Sequence, residues 1–416
     1  MPEALTAAPQ NLSQTGVRRG LLEDLALKIL YVMGDMTGVE LGRHMGLGFG
    51  VAEEIGSALR KDRLCQAKSM NAGVPLLTLL DAGKQRALSL LELCQYTGPA
   101  PVSLMDYSLR VRGQRVDQTK IVPKDLVRAF HSMVLDAEFV ARLGAAISSG
   151  EAIFLYGPPG TGKTSVATTI ASIFQDAIWI PHAVEVDNQI IAIFDPGVHR
   201  PSDKAPPADE EYDRRWVLCH RPCVIGGGEL SLEMLDLQPS ATRGYFAAPL
   251  QMKANNGVLV IDDFGRQRMQ PHELFNRWMT PLDRKVDYLT VPGGRKFEMP
   301  FDCSVIFATN LDPKQLADRA FLRRLPNKLK MDYATPKQFA EIFRRECETK
   351  LLDCDDDLIK HTIQFITKQL NQPLSHCYAR DVINQAVFFA SFLDSETVLT
   401  KDAIERACRS YFLEDI

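Results

Sequence analysis

Ile153-Phe154-Leu155-Tyr156-Gly157-Pro158-Pro159-Gly160-Thr161-Gly162-Lys163-Thr164 is the stretch on which the reading of this chain turns. Apolar strand formers run straight into a glycine-rich loop, and a helical pattern, Ser165 to Phe174, begins at once. This is G-x-x-x-x-G-K-[ST] with a strand before it and a helix after it, the context that gives the motif its meaning. Glycines let backbone N–H groups curl round a phosphate with no Cβ in the way. The helix N-terminus adds partial positive charge. The cradle is Gly157, Pro158, Pro159, Gly160, Thr161, Gly162, Lys163, Thr164 and Ser165. Lys163 is expected to reach the β- and γ-phosphates and the Thr164 hydroxyl to ligate Mg²⁺.

A second signature lies about a hundred residues on. Gly257-Val258-Leu259-Val260-Ile261-Asp262-Asp263 is an apolar run ending in two carboxylates. It fits a buried parallel strand with acids at its C-terminal end, where open α/β sheets bind ligands. Asp262 is expected to hold Mg²⁺, and Asp263 to position and polarise an attacking water. Cys303-Ser304-Val305-Ile306-Phe307-Ala308-Thr309-Asn310 is a third buried strand, and Asn310 at its end would help hold that water or simply cap the strand as a turn former. Tyr288 to Pro300, around Pro292-Gly293-Gly294, predicts a hairpin. Ala177 to Ile180 predicts another strand, and Val184 to Phe194, around Asp187-Asn188, a hairpin. Ser202 to Arg215 is polar and predicts an exposed loop. Gly226-Gly227-Gly228 leading to Glu233 reads as a mobile, projecting loop or a plain flexible connection. Arg323 and Arg324 end the helix expected after Asp318.

At 416 residues the chain exceeds one ordinary domain, and two or three fit. Its 45% hydrophobic and 24% charged residues place it among globular proteins. A formal charge of −4 gives no general pull toward nucleic acid. No apolar run reaches the roughly 18 residues a membrane span needs. Met1 to Gln14 lacks the pattern of a signal peptide. Nine scattered cysteines suit reduced thiols in a cytosol, so a cytoplasmic location is expected. Cys219-His220-Arg221-Pro222-Cys223 has no second Cys pair at zinc spacing, and buried or surface thiols are its simpler reading.

The order of these motifs, with Arg323 and Arg324 after them, resembles the AAA+ ATPases from about Val122 to the C-terminus. The resemblance implies ATP and Mg²⁺ as cofactors, Walker A at 157–164, Walker B at Asp262 with Asp263, and sensor 1 at Asn310. It implies an arginine finger at Arg323 or Arg324, the latter first because it directly precedes Leu325. Tyr378-Ala379-Arg380-Asp381 opens a helix as the family's sensor 2 does, which would set Arg380 on the γ-phosphate; an ion pair with a neighbouring acid is the plainer alternative. The hairpin before sensor 1 and Gly244 to Leu250 are similar to MoxR-type proteins and bacterial enhancer-binding activators. Asp263 stands where most members carry Glu, so its shorter reach bears on hydrolysis rate more than on binding.

Leu21 to Gln95, with three helices, a hairpin and a closing helix, resembles a winged-helix domain. Its third helix mixes Glu53 and Glu54 with Arg60 and Lys61, whereas phosphate contacts need a basic face; protein docking or regulation is favoured over DNA binding. The expected fold is therefore an α/β P-loop NTPase parallel sheet with a C-terminal helical lid, plus an N-terminal winged-helix-like α+β domain. Expected boundaries are a disordered tail at 1–17, the winged-helix-like domain at 18–96, a linker at 97–121, the nucleotide-binding domain at 122–333 and the lid at 334–416. The resemblance implies an ATPase, expected as a hexameric ring that remodels an unidentified protein. An ATP-dependent DNA-binding regulator and a slow, nucleotide-gated scaffold are the alternatives.

Overall fold

The computed structural model describes residues 7–71, 74–203, 212–239, 244–291, 294–316, 322–392 and 398–412. Its central element is a five-stranded sheet in the order Cys223–Gly226, Val258–Ile261, Ser304–Thr309, Ile153–Tyr156, Asn327–Lys330. Counted along the chain this is 2-3-4-1-5, with the strand before the glycine loop second from one edge. Both neighbours of that strand run parallel to it, pairing Ile306 and Asn327 with Ile153. Val258–Ile261 and Ser304–Thr309 are buried along their whole length, which is why they read as unbroken apolar runs and not as alternating ones.

By internal contacts the chain forms two compact units, and each draws on separated segments of sequence. The first comprises 1–119, 175–259 and 273–304. It opens with helices Arg19–Met33, Gly38–Met45 and Phe49–Lys61, the antiparallel strands Cys65–Asn71 and Val74–Leu79, and helix Asp81–Leu93. Thr37 caps the second helix in a capping box with Glu40. Leu22, Leu25, Ile29, Leu41, Ile55 and Leu77 form its fully buried core. The turn expected at Asn71-Ala72-Gly73 falls partly outside the described residues, as do Pro292 and Gly293 of the later hairpin. That hairpin's arms, Val286–Thr290 and Lys296–Pro300, pair antiparallel. Ala183–Val186 and Gln189–Ala192 also form a hairpin, turned by Asp187 and Asn188, both at positive φ.

Several expectations fail in this unit. Residues 7–17 are not a disordered tail: Leu12–Thr15 forms a 3₁₀ turn capped by Asn11, and the buried Arg215 guanidinium donates to the Thr15 carbonyl at 2.7 Å. The linker expected at 97–121 contains helix Leu104–Gly113 with Tyr107 buried. Ala177–Pro181 is the strand expected there, and it pairs antiparallel with Trp216–His220 outside the central sheet. The stretch expected as an exposed loop up to Arg215 ends in a buried Asp213–Arg215 ion pair of 2.7 Å; its residues 204–211 lie outside the described ones. Gly226 to Glu233 is anchored at Leu230, which is fully buried, and Gly227 N–H is held by Glu229 Oε1 at 3.0 Å, while Gly228, Glu229 and Glu233 are exposed. Arg221, in the cysteine-flanked stretch, is a buried structural cation paired with Asp176 at 2.6 Å.

The second unit comprises 120–174, 260–272 and 305–416. Helices Pro123–Ala129 and Ala137–Ser148 precede the phosphate-loop strand. Phe154 stacks on Phe307 at 6.2 Å and meets Phe264 edge-on at 6.2 Å; each such ring contributes roughly 2 kcal/mol through burial. The C-terminal helices are Pro336–Thr349, Asp356–Gln364, His376–Phe392 and Lys401–Tyr411. Thr335 caps the first of them in a capping box with Gln338, with Pro336 at its first position. Phe339, Phe343, Ile383 and Ile404 bury its apolar faces completely. No helix among the described residues is long and apolar enough to cross a membrane.

Candidate nucleotide site

The glycine loop turns as its residue types demand. Gly157 sits at φ 147°, Gly160 at 73° and Gly162 at 89°. At Gly157 a Cβ would run into the Met331 carbonyl oxygen, and at Gly160 into the Ser375 side chain. Helix Lys163–Thr169 starts from Gly162. Within the second unit this loop walls a cavity of about 420 Å³, in the size range of small-ligand sites.

Lys163 is buried and folds back over the loop. Its Nζ donates to the Gly157 carbonyl at 3.0 Å and the Pro158 carbonyl at 2.6 Å. Burial lowers its pKa, while the carboxylates of Asp263 and Asp262 pull the other way. The ammonium therefore stands in a partly desolvated place with acids facing it, where an added anion gains more than in water.

Thr164 Oγ1 donates to Asp262 Oδ1 at 2.9 Å. A hydroxyl and a carboxylate held this close are the oxygen donors that suit Mg²⁺. Asp263 lies beyond the strand at φ 48°, a left-handed conformation that Asp tolerates better than most side chains. The turn that carries it is pinned by Phe264 N–H to the Ala308 carbonyl at 2.7 Å and by Thr309 Oγ1 to the Phe264 carbonyl at 2.6 Å. Asn310 Nδ2 reaches Asp263 Oδ1 at 3.4 Å, so the two side chains share one corner of the cavity.

Gly160, Thr161, Gly162, Lys163, Thr164, Ser165, Asp262, Asp263, Asn310 and Arg380 all line the cavity. Gly157, Pro158 and Pro159 do not; two of them serve through carbonyls that hold Lys163. Arg380 faces the cavity and also pairs with Asp381 at 3.0 Å, so the contact expected as its alternative is present in the same geometry. Arg323 and Arg324 are not brought to this cavity. They lie on a turn before strand Asn327–Lys330, Arg323 exposed and Arg324 half-buried. Most of the helix expected before them falls outside the described residues.

Other walls had no motif to mark them. Ser132 to Leu135 form one side, and Ile342, Arg345 and Glu346 come from the first C-terminal helix. Arg345 Nη1 donates to the His131 carbonyl at 2.9 Å, which ties that helix to the turn before Ser132. Helical spacing places Ile342 and Glu346 on one face, but nothing in the sequence says which face meets the loop.

Residues 153–333 match the model of the ATPase family associated with various cellular activities (AAA). Residues 335–410 match a domain of unknown function (DUF8689). No curated protein matches the chain. Among solved structures it is similar to NtrX from Brucella abortus in complex with ADP, at 14% identity over 67% of this chain and 56% of that one, with a TM-score of 0.41. This chain therefore spans little more than half of NtrX. It is similar to the Thermotoga maritima RuvB Holliday junction branch migration motor at 15% identity, 73% and 74% coverage and a TM-score of 0.38. It is also similar to domain III of the Thermotoga maritima replication initiation protein DnaA at 12% identity, 71% and 100% coverage and a TM-score of 0.39.

Proposed function

We propose that this chain, whose residues 153–333 match the AAA ATPases, binds ATP with Mg²⁺ and hydrolyses it. The observation that carries the reading is the convergence of Lys163, the Thr164–Asp262 pair and the Asp263–Asn310 pair on one cavity. Thr164 and Asp262 would hold Mg²⁺, which would supply charge neutralisation on the phosphates. Loop N–H groups from Gly160 to Thr164 and the Lys163 ammonium would hold the β- and γ-phosphoryl oxygens. Asp263 would accept a hydrogen bond from the attacking water and Asn310 would fix its position. Arg380 would sense the γ-phosphate from the C-terminal helices, exchanging its Asp381 partner for the anion.

AAA+ proteins generally act as oligomers, so a ring with Arg324, or Arg323, reaching a neighbour's site is part of the reading. A protein substrate is favoured over DNA. The strand–helix order of residues 19–93 supports a winged-helix-like docking domain, and its third helix engages both of its acids and one of its two bases within the fold. Glu53 pairs with Arg60 at 2.5 Å, and Glu54 accepts from Leu12 N–H at 3.3 Å.

The test is phosphate release from ATP by the full chain. Lys163→Ala is expected to reduce turnover to background, because the loop loses its only cation facing the phosphates. Unchanged turnover in that variant would remove the proposal.

A further inference from the structure

His376 opens helix His376–Phe392 and lines the same cavity as the phosphate loop. Its neighbours fix it there. Cys377 N–H donates to the Gly160 carbonyl at 3.1 Å, and Ser375 Oγ donates to the Pro159 carbonyl at 3.2 Å. Arg380 follows four residues later, on the same helix face, and lines the cavity too.

The ring itself is unused. Among the described residues it has no hydrogen-bond partner, and its Nδ1 is buried. His199 shows what a structural histidine in this chain looks like. Its Nδ1 accepts from Asp195 N–H at 2.9 Å and its Nε2 donates to the Lys253 carbonyl at 2.9 Å. Burial lowers the His376 pKa, so near pH 7 the imidazole is neutral and carries one proton. A proton on buried Nδ1 would strand a donor, which costs free energy that a donor facing the cavity does not. The tautomer with hydrogen on Nε2 is thus favoured.

We propose that His376 is a nucleotide-contacting residue, whose Nε2–H donates a hydrogen bond to an oxygen of the bound nucleotide. This rests on the reading of the cavity as a nucleotide site.

Three variants of the full chain test it: His376→Ala, His376→Gln and His376→Asn. A glutamine amide nitrogen can stand near the position of Nε2, whereas that of asparagine stands near Nδ1. Displacement of a fluorescent ADP analogue by unlabelled ATP reads affinity, and melting temperature without nucleotide reads the fold. Ala and Asn are expected to weaken ATP binding roughly tenfold, with Gln within roughly threefold of the parent. Equal affinities for Gln and Asn, an unaffected Ala variant, or losses that track lowered melting in all three would overturn the assignment. Lys163→Ala separates the two failures. If the parent binds ATP, Lys163→Ala does not, and His376→Ala binds normally, only the His376 inference falls. If the parent binds no ATP, the reading of the cavity falls with it.

Discussion

The Thr164 hydroxyl donates to Asp262 Oδ1 across 2.9 Å, joining the start of the phosphate-loop helix to the end of a strand 98 residues later. The pair exists because the two strands feeding it lie in one sheet, with Ser304–Thr309 between them. Asp262→Ala leaves Thr164 as the single protein oxygen of the pair. The Mg²⁺ concentration for half-maximal ATP turnover should then rise by about tenfold or more, the scale on which weakened metal sites lose affinity. Mg²⁺ titrations of parent and variant that superimpose would show that Asp262 does not serve the metal.

Arg324 is half-buried on a turn outside the cavity, so its proposed role requires a neighbouring subunit. Arg324→Ala should keep ATP affinity and lose turnover on the order of 10³-fold, as fingers contribute. Specific activity of the parent should climb with protein concentration. Mixing Arg324→Ala with Lys163→Ala should restore part of the activity, since each lacks a different half of a shared site. Activity independent of concentration, with no rescue in the mixture, would return Arg324 to an ordinary surface role.

His199 is buried and both ring nitrogens are hydrogen-bonded, Nδ1 as an acceptor. Desolvation lowers its pKa below the usual 6.5. As pH falls below 6.5, the unfolded chain takes up a proton that the folded chain refuses, so stability falls with acid in that window. The parent's melting temperature should therefore drop more steeply between pH 7 and pH 5.5 than that of His199→Asn, which cannot titrate. Equal slopes would mean that His199 protonates freely in the fold.

What could be read from the chain alone follows a physical division. The phosphate loop and the acids after Ile261 are contiguous residues whose chemistry depends on local turn geometry and on strand ends. Gly160 to Ser165 of that loop line one cavity together with Asp262 and Asp263. Elements whose state depends on distant partners are less legible. Polar composition hid the order of Leu12–Thr15, because its anchor is Arg215, 200 residues away. Three glycines suggested a loose loop, but Leu230 and Leu235 beside them are what the fold buries. Ala177–Pro181 has the composition of a strand, yet composition does not say which sheet a strand joins. The Ser132–Leu135 wall is unremarkable locally, and only packing brings it to the cavity.

The hydrogen bonds from Cys377 and Ser375 to the phosphate loop also bear on how the molecule can be taken apart. The two matched segments meet at residue 334, an obvious place for scissors. A cut there would remove Ala334, whose N–H donates to the Leu374 carbonyl at 2.8 Å, and would deprive Cys377 N–H of the Gly160 carbonyl. It would also bare the flank of helix Pro336–Thr349 where Arg345 grips His131. The excised C-terminal piece would keep its own phenylalanine core and lose the seam along its edge. The seam between the two segments is a line drawn by comparing sequences, and the folded chain is sewn across it.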